Sequence, residues 1–275
     1  MTSLVRDRRG LFGLLVLAAV AAAAVAAPLV TDGQPDVQRD IVATRFLPPL
    51  ATDIHGAMHL LGTDRFGRDV WTRLIYGARV SLTIAVLAVA LSVLIGMVVG
   101  GIAGYARGPV STALTAATDF ALALPRVVLL LLLAALWQPS APLVVVVLGL
   151  TGWMAIARLV RGEVRALSTR PFVDGAVALG LSRARILARH LLPNALTPVI
   201  VAAALGVGNA MLLEAGLSYL GLGVQPPTAS WGNMIASGRD TLVNAPWIAT
   251  APGLALVLVV VACTLRGDAL RDATA

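Results

Sequence analysis

Long uncharged apolar runs alternate with shorter arginine-bearing segments along all 275 residues of the chain. The run Leu11–Val30 holds no charge over 20 residues, about 30 Å of helix, which matches the hydrocarbon thickness of a bilayer. It opens like a signal peptide, after Arg6, Arg8 and Arg9 and with the small residues of "AVAA" behind it. Its length exceeds the roughly 7–15 residues of a signal core, so it reads as a retained span. Val80–Ala106 is uncharged over 27 residues, room for a tilted second span. Val127–Ala157 is uncharged again, and "QPSAP" at 138–142 divides it into a third and a fourth span joined by a tight turn. A fifth runs from about Ala195, after Pro193, to Leu213, and a sixth from Trp247 to Leu265. The pattern predicts an all-α integral membrane protein with six transmembrane helices. Residues 1–79 form an N-terminal span with a segment outside the membrane, and 80–275 form the core, including a loop at 158–194.

Composition agrees. Only 13% of residues are charged and mean hydropathy is +0.88, against about a quarter charged in soluble domains. All 21 basic residues are arginine, giving a formal net charge of +7. A nucleic-acid binder shares that balance, but aromatics make up only 5% and the arginines lie mostly between apolar runs. That placement points to orientation of spans by cytoplasmic positive charge, with the lipid bilayer as partner and no nucleic acid. The absence of lysine excludes a phosphate-binding loop of the G-x-x-x-x-G-K-[ST] type, so this chain does not hydrolyse ATP by that route. Cys263, the one cysteine, falls in the last apolar run, where it reads as packing.

Six spans put both termini on one side, and the basic N-terminus makes that side the cytoplasm. The loop at 158–194 is then internal, with seven arginines against Glu163 and Asp174. The outer segment 31–79 has six arginines matched by Asp32, Asp36, Asp40, Asp53, Asp64 and Asp69, and orients weakly. Within the loop, a helical wheel at 100° per residue places Leu181, Ala184, Leu187, Ala188 and Leu191 on one side. Ser182, Arg183, Arg185, Arg189 and His190 lie on the other, with Ile186 among them. Such a helix suits anionic lipid headgroups or a protein partner. Gly180, which bends the backbone between two short helical patterns, favours a knob offered to a protein.

The stretch "DGAVALGLSRARILARHLLPN" (174–194) resembles the loop of bacterial ABC importer permeases: E-A-A, three residues, G, and an I/L-x-L-P ending about nine residues later. Asp174 stands for the usual glutamate and Gly175 for the first alanine, while Ala176, Gly180, Leu192 and Pro193 match. Three further segments resemble the dipeptide, oligopeptide and nickel importers of that family: "HLLGTDRFGRDVWTRLIYGARVSL" (59–82), "EAGLSYLGLGVQPPTASWGNMI" (214–235) and "PGLALVLVVVACTLRGDALRDA" (252–273). The resemblance implies a type I ABC importer transmembrane domain in a bacterial inner membrane. Its partners are a second homologous permease, two ATP-binding cassette subunits and an extracytoplasmic substrate-binding protein. Residues 174–176, 180, 192 and 193, with Arg183 and Arg185, form the ATPase-coupling loop. ATP and magnesium are held by the ATPases and no cofactor by this chain. Short peptides are the expected cargo, with nickel or another small solute as the alternative. A channel or secondary transporter working without ATPases, and a membrane-embedded enzyme, are the rival classes.

Other residues carry two readings each. His55 and His59 are four apart, as in a helical metal pair, but Gly56 weakens a helix there and no third ligand follows, so no metal site is expected. Asp64, Arg68 and Asp69 form either a self-satisfied turn or a dock for the binding protein. Glu214, near the end of an apolar run, lines the translocation path, anchors the span or accepts from loop amides. Asp119 and Arg126, seven apart, share one face of the third helix, with Pro125 as a kink. Trp231 and Trp247 suit the outer interface. No nucleophile-and-base pair or paired carboxylates at catalytic spacing stand out.

Overall fold

The computed structural model describes residues 8–273 except 32 and 39, so Arg6, Asp32 and Arg39 of the charge pattern lie outside the described residues. Among the described residues, five helices are long and apolar enough to cross a membrane, six if one sharply bent pair counts as a span. They are α1 (Arg8–Val25), α2 (Val70–Tyr105), the bent pair α3 (Pro109–Ala123) and α4 (Arg126–Ala135), α5 (Ala141–Leu167), then, after the short α6 (Pro171–Ala178) and α7 (Arg183–Ile186), α8 (Leu196–Tyr219). The short α9 (Trp231–Gly238) precedes the last span, α10 (Trp247–Asp272). A two-residue hairpin, β1 (Ala51–Thr52) with β2 (Met58–His59), shapes the segment before α2.

Most spans outrun their apolar runs, although α1 stops at Val25, short of Val30. α2 starts ten residues before Val80, so the boundary drawn at 79/80 falls inside one continuous helix. Asp69 starts it: its Oδ2 accepts the Thr72 backbone N–H at 2.6 Å. At 36 residues α2 is roughly 54 Å long, well beyond a bilayer core.

The region expected to hold the third span differs most from its expectation. It comprises α3 and α4, whose axes diverge by 87°, a broken span or a re-entrant loop. Pro125 has no N–H to give and disfavours helical angles at the residue before it; Leu124 is accordingly extended, at φ −74° and ψ 135°. The break separates Asp119 from Arg126, so the two do not share a helix face. Asp119 Oδ1 instead accepts from Arg158 of α5 at 2.7 Å.

α2 and α5 form the most intimate pair, and the reason is a row of small residues. Gly96, Gly100 and Gly104 recur every four positions, on one side of α2. A Cβ on Gly96 would come within 2.6 Å of Ile156 and one on Gly104 within 2.9 Å of the Arg161 carbonyl, so the backbones meet only because no side chain intervenes. α1 lies on α10, where a Cβ on Gly13 would meet the Ala262 carbonyl at 2.6 Å. α8 packs between α10 and α2.

Candidate functional site

Beyond the end of α5 the chain makes an elbow. α6 stops in a Schellman motif: the Leu181 N–H reaches the Ala176 carbonyl at 3.1 Å and the Gly180 N–H the Val177 carbonyl at 2.9 Å. Gly180 takes φ +76°, which glycine adopts without steric cost. The same Leu-Gly-Leu cap ends α8 at Gly221, φ +78°.

After the elbow the wheel reading fails at a definite place. Ile186, grouped with the polar residues, is fully buried, while Ala184 and Ala188 are exposed. Residues 187–191 form a π-helical turn, bonded i to i+5. Ile186 and Leu191, five apart and about 140° off in an α-helix, therefore both point inward, onto Val160, Val164 and Val173. Arg183, Arg185 and Arg189 stay exposed, as do Asp174 and Gly175; Ala176 is buried, Leu192 half-buried and Pro193 exposed. The outer surface of α6 is apolar: Phe172, Val177 and Leu179 are bare, Leu179 at 83%. These groups lie beyond the ends of the spans, and exposed apolar side chains in a cluster mark a surface for another protein or for lipid.

Glu214 lies inside α8, since that helix continues to Tyr219, and it is 0% exposed. Its Oε1 accepts the Ser218 hydroxyl at 2.7 Å and its Oε2 the Ser81 hydroxyl of α2 at 3.0 Å. Each serine in turn accepts a backbone N–H, Ser218 from Val224 at 3.1 Å and Ser81 from Trp231 at 3.2 Å. The carboxylate thus fastens the loop 220–230 and the start of α9 to two spans. Ser230 and Asn233 complete that start as a reciprocal capping box. Trp231 is 2% exposed, its indole N–H given to the Leu74 carbonyl at 2.9 Å. Trp247 gives its own to the Thr63 carbonyl at 3.1 Å. Both indoles tie segments together through these bonds. Sequence reading missed Ser81, Ser218 and Ser230; the i,i+4 spacing of Glu214 and Ser218 was the available signal.

At the same end Asp64 and Arg68 are 3% and 5% exposed and face each other twice, through Nε and through a terminal nitrogen, both at 2.7 Å. Arg68 also lies over the Phe66 ring at 4.7 Å. Asp69 caps α2 and binds His59 Nδ1 at 2.9 Å. His55 and His59 are in the hairpin and not on a helix, and His59 Nε2 is 3.6 Å from Asp53. Asp53 is held below the ordinary carboxylate range: burial acts to raise it, and the Ala57 and His55 backbone N–H groups, with the two histidines, outweigh that. Among the described residues, no group of three or more His, Cys, Asp or Glu is placed to hold a metal ion.

A cavity of about 570 Å³ opens between α2, α5 and α8. Ser92, Gly152 and Asn209 line it near the middle of those helices, and Arg126, the first residue of α4, reaches it past Gly152. An ideal Cβ on Gly152 would meet an Arg126 terminal nitrogen at 3.3 Å. Arg126 Nε is buried and has no hydrogen-bond partner among the described residues. Arginine is costly inside a bilayer, about 2.5–3.5 kcal/mol at a helix centre on insertion scales, and Arg126 opens the apolar helix α4. Glu214 does not line this cavity.

The family described as Binding-protein-dependent transport system inner membrane component matches residues 96–274. The chain is 40% identical over 269 residues to a putative peptide transport system permease protein of Brucella abortus, covering 98% of this chain and 88% of that protein. It is 35% identical over 268 residues to the dipeptide transport system permease protein of Alkalihalophilus pseudofirmus, covering 98% and 86%. Among solved structures, an inward-facing conformation of the MetNI methionine ABC transporter superposes with a TM-score of 0.60 at 19% identity, over 74% of this chain and 96% of that one. That last likeness is one of fold.

Proposed function

The chain belongs to the binding-protein-dependent transport system inner membrane components, and from that membership we propose that it is one permease half of an ATP-driven importer of short peptides. It is a multi-pass membrane protein and a transport component. The cargo reading is supported by the names of its relatives, a peptide permease at 40% identity and a dipeptide permease at 35%. A second, homologous permease supplies the other half of the pathway.

The observation that carries the coupling role is the elbow at Gly180, which leaves Phe172, Val177 and Leu179 uncovered beside three arginines. A groove in an ATP-binding cassette subunit covers that apolar face, and two such subunits hold ATP and magnesium. No cofactor is assigned to this chain. The arginine-rich loop and both termini face the cytoplasm. Closure of the ATPases on nucleotide pulls on the elbows and rocks the paired permeases between inward and outward access, each chain stabilising one of two arrangements.

The binding protein delivers cargo at the opposite end, where Ile54, Met58 and Val243 are exposed. The buried Asp64–Arg68 pair supports that surface from beneath. A purified complex of this chain with its second permease, two ATPases and binding protein tests the reading. Di- or oligopeptides are expected to stimulate ATP hydrolysis and to enter proteoliposomes. Stimulation by Ni²⁺ with none by peptides would overturn the cargo; failure to recover any ATPase with the intact loop would overturn the machine.

A further inference from the structure

We propose that His59 is a proton-operated latch on the outer segment: with both ring nitrogens protonated it bridges Asp69, at the start of α2, and Asp53, in the hairpin turn, and holds the turn in place. The inference rests on the importer reading for the side of the membrane on which this turn lies, and adds to it a regulation of the docking surface proposed there.

The bridge has a fixed end and a movable end. His59 sits at the base of the hairpin, paired with Ala51, and its carbonyl accepts the Leu50 N–H at 2.8 Å and the Gly62 N–H at 3.1 Å. Its Nδ1 is 2.9 Å from Asp69 Oδ1, while Asp69 Oδ2 accepts the Thr72 N–H that opens α2. Across the ring, Nε2 faces Asp53 Oδ2 at 3.6 Å, longer than a hydrogen bond. That nitrogen is buried and has no hydrogen-bond partner among the described residues. The other oxygen of Asp53 shapes the turn, taking the His55 N–H at 2.8 Å and the Ala57 N–H at 2.9 Å. Ile54 lies in this turn and Met58 just after it, 65% and 60% exposed.

Proton count decides what the geometry does. A neutral imidazole has one N–H. At 2.9 Å from a carboxylate that hydrogen belongs on Nδ1, so Nε2 turns a lone pair toward Asp53 and an uncharged ring stands between two anions. A second proton makes Nε2 a donor aimed at Asp53 and puts a cation between the carboxylates. The held turn therefore binds that proton more tightly than a released one. Its added stability is present in acid and lost as pH rises through the range in which imidazole deprotonates. Burial acts to raise Asp53, but the Ala57 and His55 N–H groups and the two histidines hold it below the ordinary carboxylate range, so the far end of the latch stays ionised in acid. A cavity of about 760 Å³ opens beside the ring, with room for the water that brings the proton. The titratable groups around the ring are Asp69 from α2 and Asp53 and His55 from the hairpin; the cavity wall beyond them is uncharged among the described residues, with Thr31, Gln34, Thr44, Trp71 and Thr72.

Hydrogen exchange of residues 53–58 in the detergent-purified full chain, corrected for the intrinsic pH dependence of exchange, tests the latch. Protection is expected to rise at least threefold from about pH 8 to about pH 5.5, with α5 level. His59→Gln and Asp53→Asn should each abolish the rise, and His55→Gln should keep it. Should His59→Gln not fold, Asp53→Asn decides, since asparagine keeps an oxygen for the two turn N–H groups. The chain has three histidines, so 15N spectra of labelled histidine should show His59 protonated on Nδ1 alone at the higher pH and on both nitrogens at the lower. Flat protection in the wild type, a rise shared equally by α5, a rise that survives His59→Gln or Asp53→Asn or vanishes in His55→Gln, or a His59 ring with one proton at both pH values overturns the proposal. Binding-protein affinity for the assembled importer separates the two readings and should tighten in acid for the wild type more than for His59→Gln. A protection response with no binding protein captured at either pH leaves the latch and removes the dock. Capture with the same pH dependence in wild type and His59→Gln leaves the importer and overturns the regulation.

Discussion

Ser81 Oγ stands 3.0 Å from Glu214 Oε2, joining α2 to α8 across 133 positions of sequence while accepting the backbone N–H of Trp231. One carboxylate therefore holds two spans and the start of α9. Removing it leaves two buried hydroxyls without their acceptor, each costing about 1–3 kcal/mol. Glu214→Ala is expected to lower stability by about 3 kcal/mol and Glu214→Gln by about 1 kcal/mol, read from thermal unfolding of the detergent-purified chain. Cargo preference should be the same in the Gln variant as in the wild type. An altered preference would move Glu214 into the path.

Gly180 has open space around it and a positive φ. A Cβ there meets no neighbour among the described residues but strains the backbone by about 1–2 kcal/mol, more if β-branched. Gly180→Val should insert normally yet lose cargo-stimulated ATP hydrolysis and at least tenfold of uptake. Gly180→Asn, which tolerates the left-handed region, should keep most of both. Wild-type uptake by the Val variant would remove the elbow from the coupling mechanism.

The Asp64–Arg68 pair is buried and doubly bonded. Arg68→Ala leaves a buried carboxylate whose remaining cation, Arg73, is 3.8 Å away. Breaking one side of such a pair costs about 3–5 kcal/mol. Limited proteolysis of the 31–69 segment should speed up sharply in this variant, and an unchanged cleavage rate would show that the pair is dispensable.

Helix packing supplies a fourth expectation. A Cβ on Gly100 would press on the Ala157 backbone, whereas one on Gly216 meets nothing within 4 Å. Gly100→Ala should destabilise by about 1–3 kcal/mol through overpacking. Gly216→Ala should be neutral or slightly stabilising, because alanine is the better helix former. Equal unfolding temperatures for the two variants would contradict the close approach of α2 and α5.

The spans were legible because a bilayer demands apolar length, and the uncharged runs from Leu11 to Leu265 are largely helical, with breaks at Ala26 and at 136–140. Their ends were not, since hydropathy stops where water begins while the helix continues, as α2 does before Val80. Gly180 was legible as a turn. The inward position of Ile186 was hidden because the wheel assumes 3.6 residues per turn and the π turn at 187–191 breaks that assumption. Pro125 announced a kink, but not that it would set Asp119 and Arg126 on separate axes. Arg126 was visible as a misfit in an apolar run; its cavity required Ser92, Gly152 and Asn209, which only tertiary packing brings together.

The bare leucine at 179 bears on how the cell keeps its subunits in proportion. A copy made without companions displays Phe172, Val177 and Leu179 to the aqueous phase, the kind of greasy handle that quality-control proteases and holdases seize. If the proposed ATPase groove covers the handle, assembly would hide it, and unassembled copies are expected to be degraded faster than assembled ones.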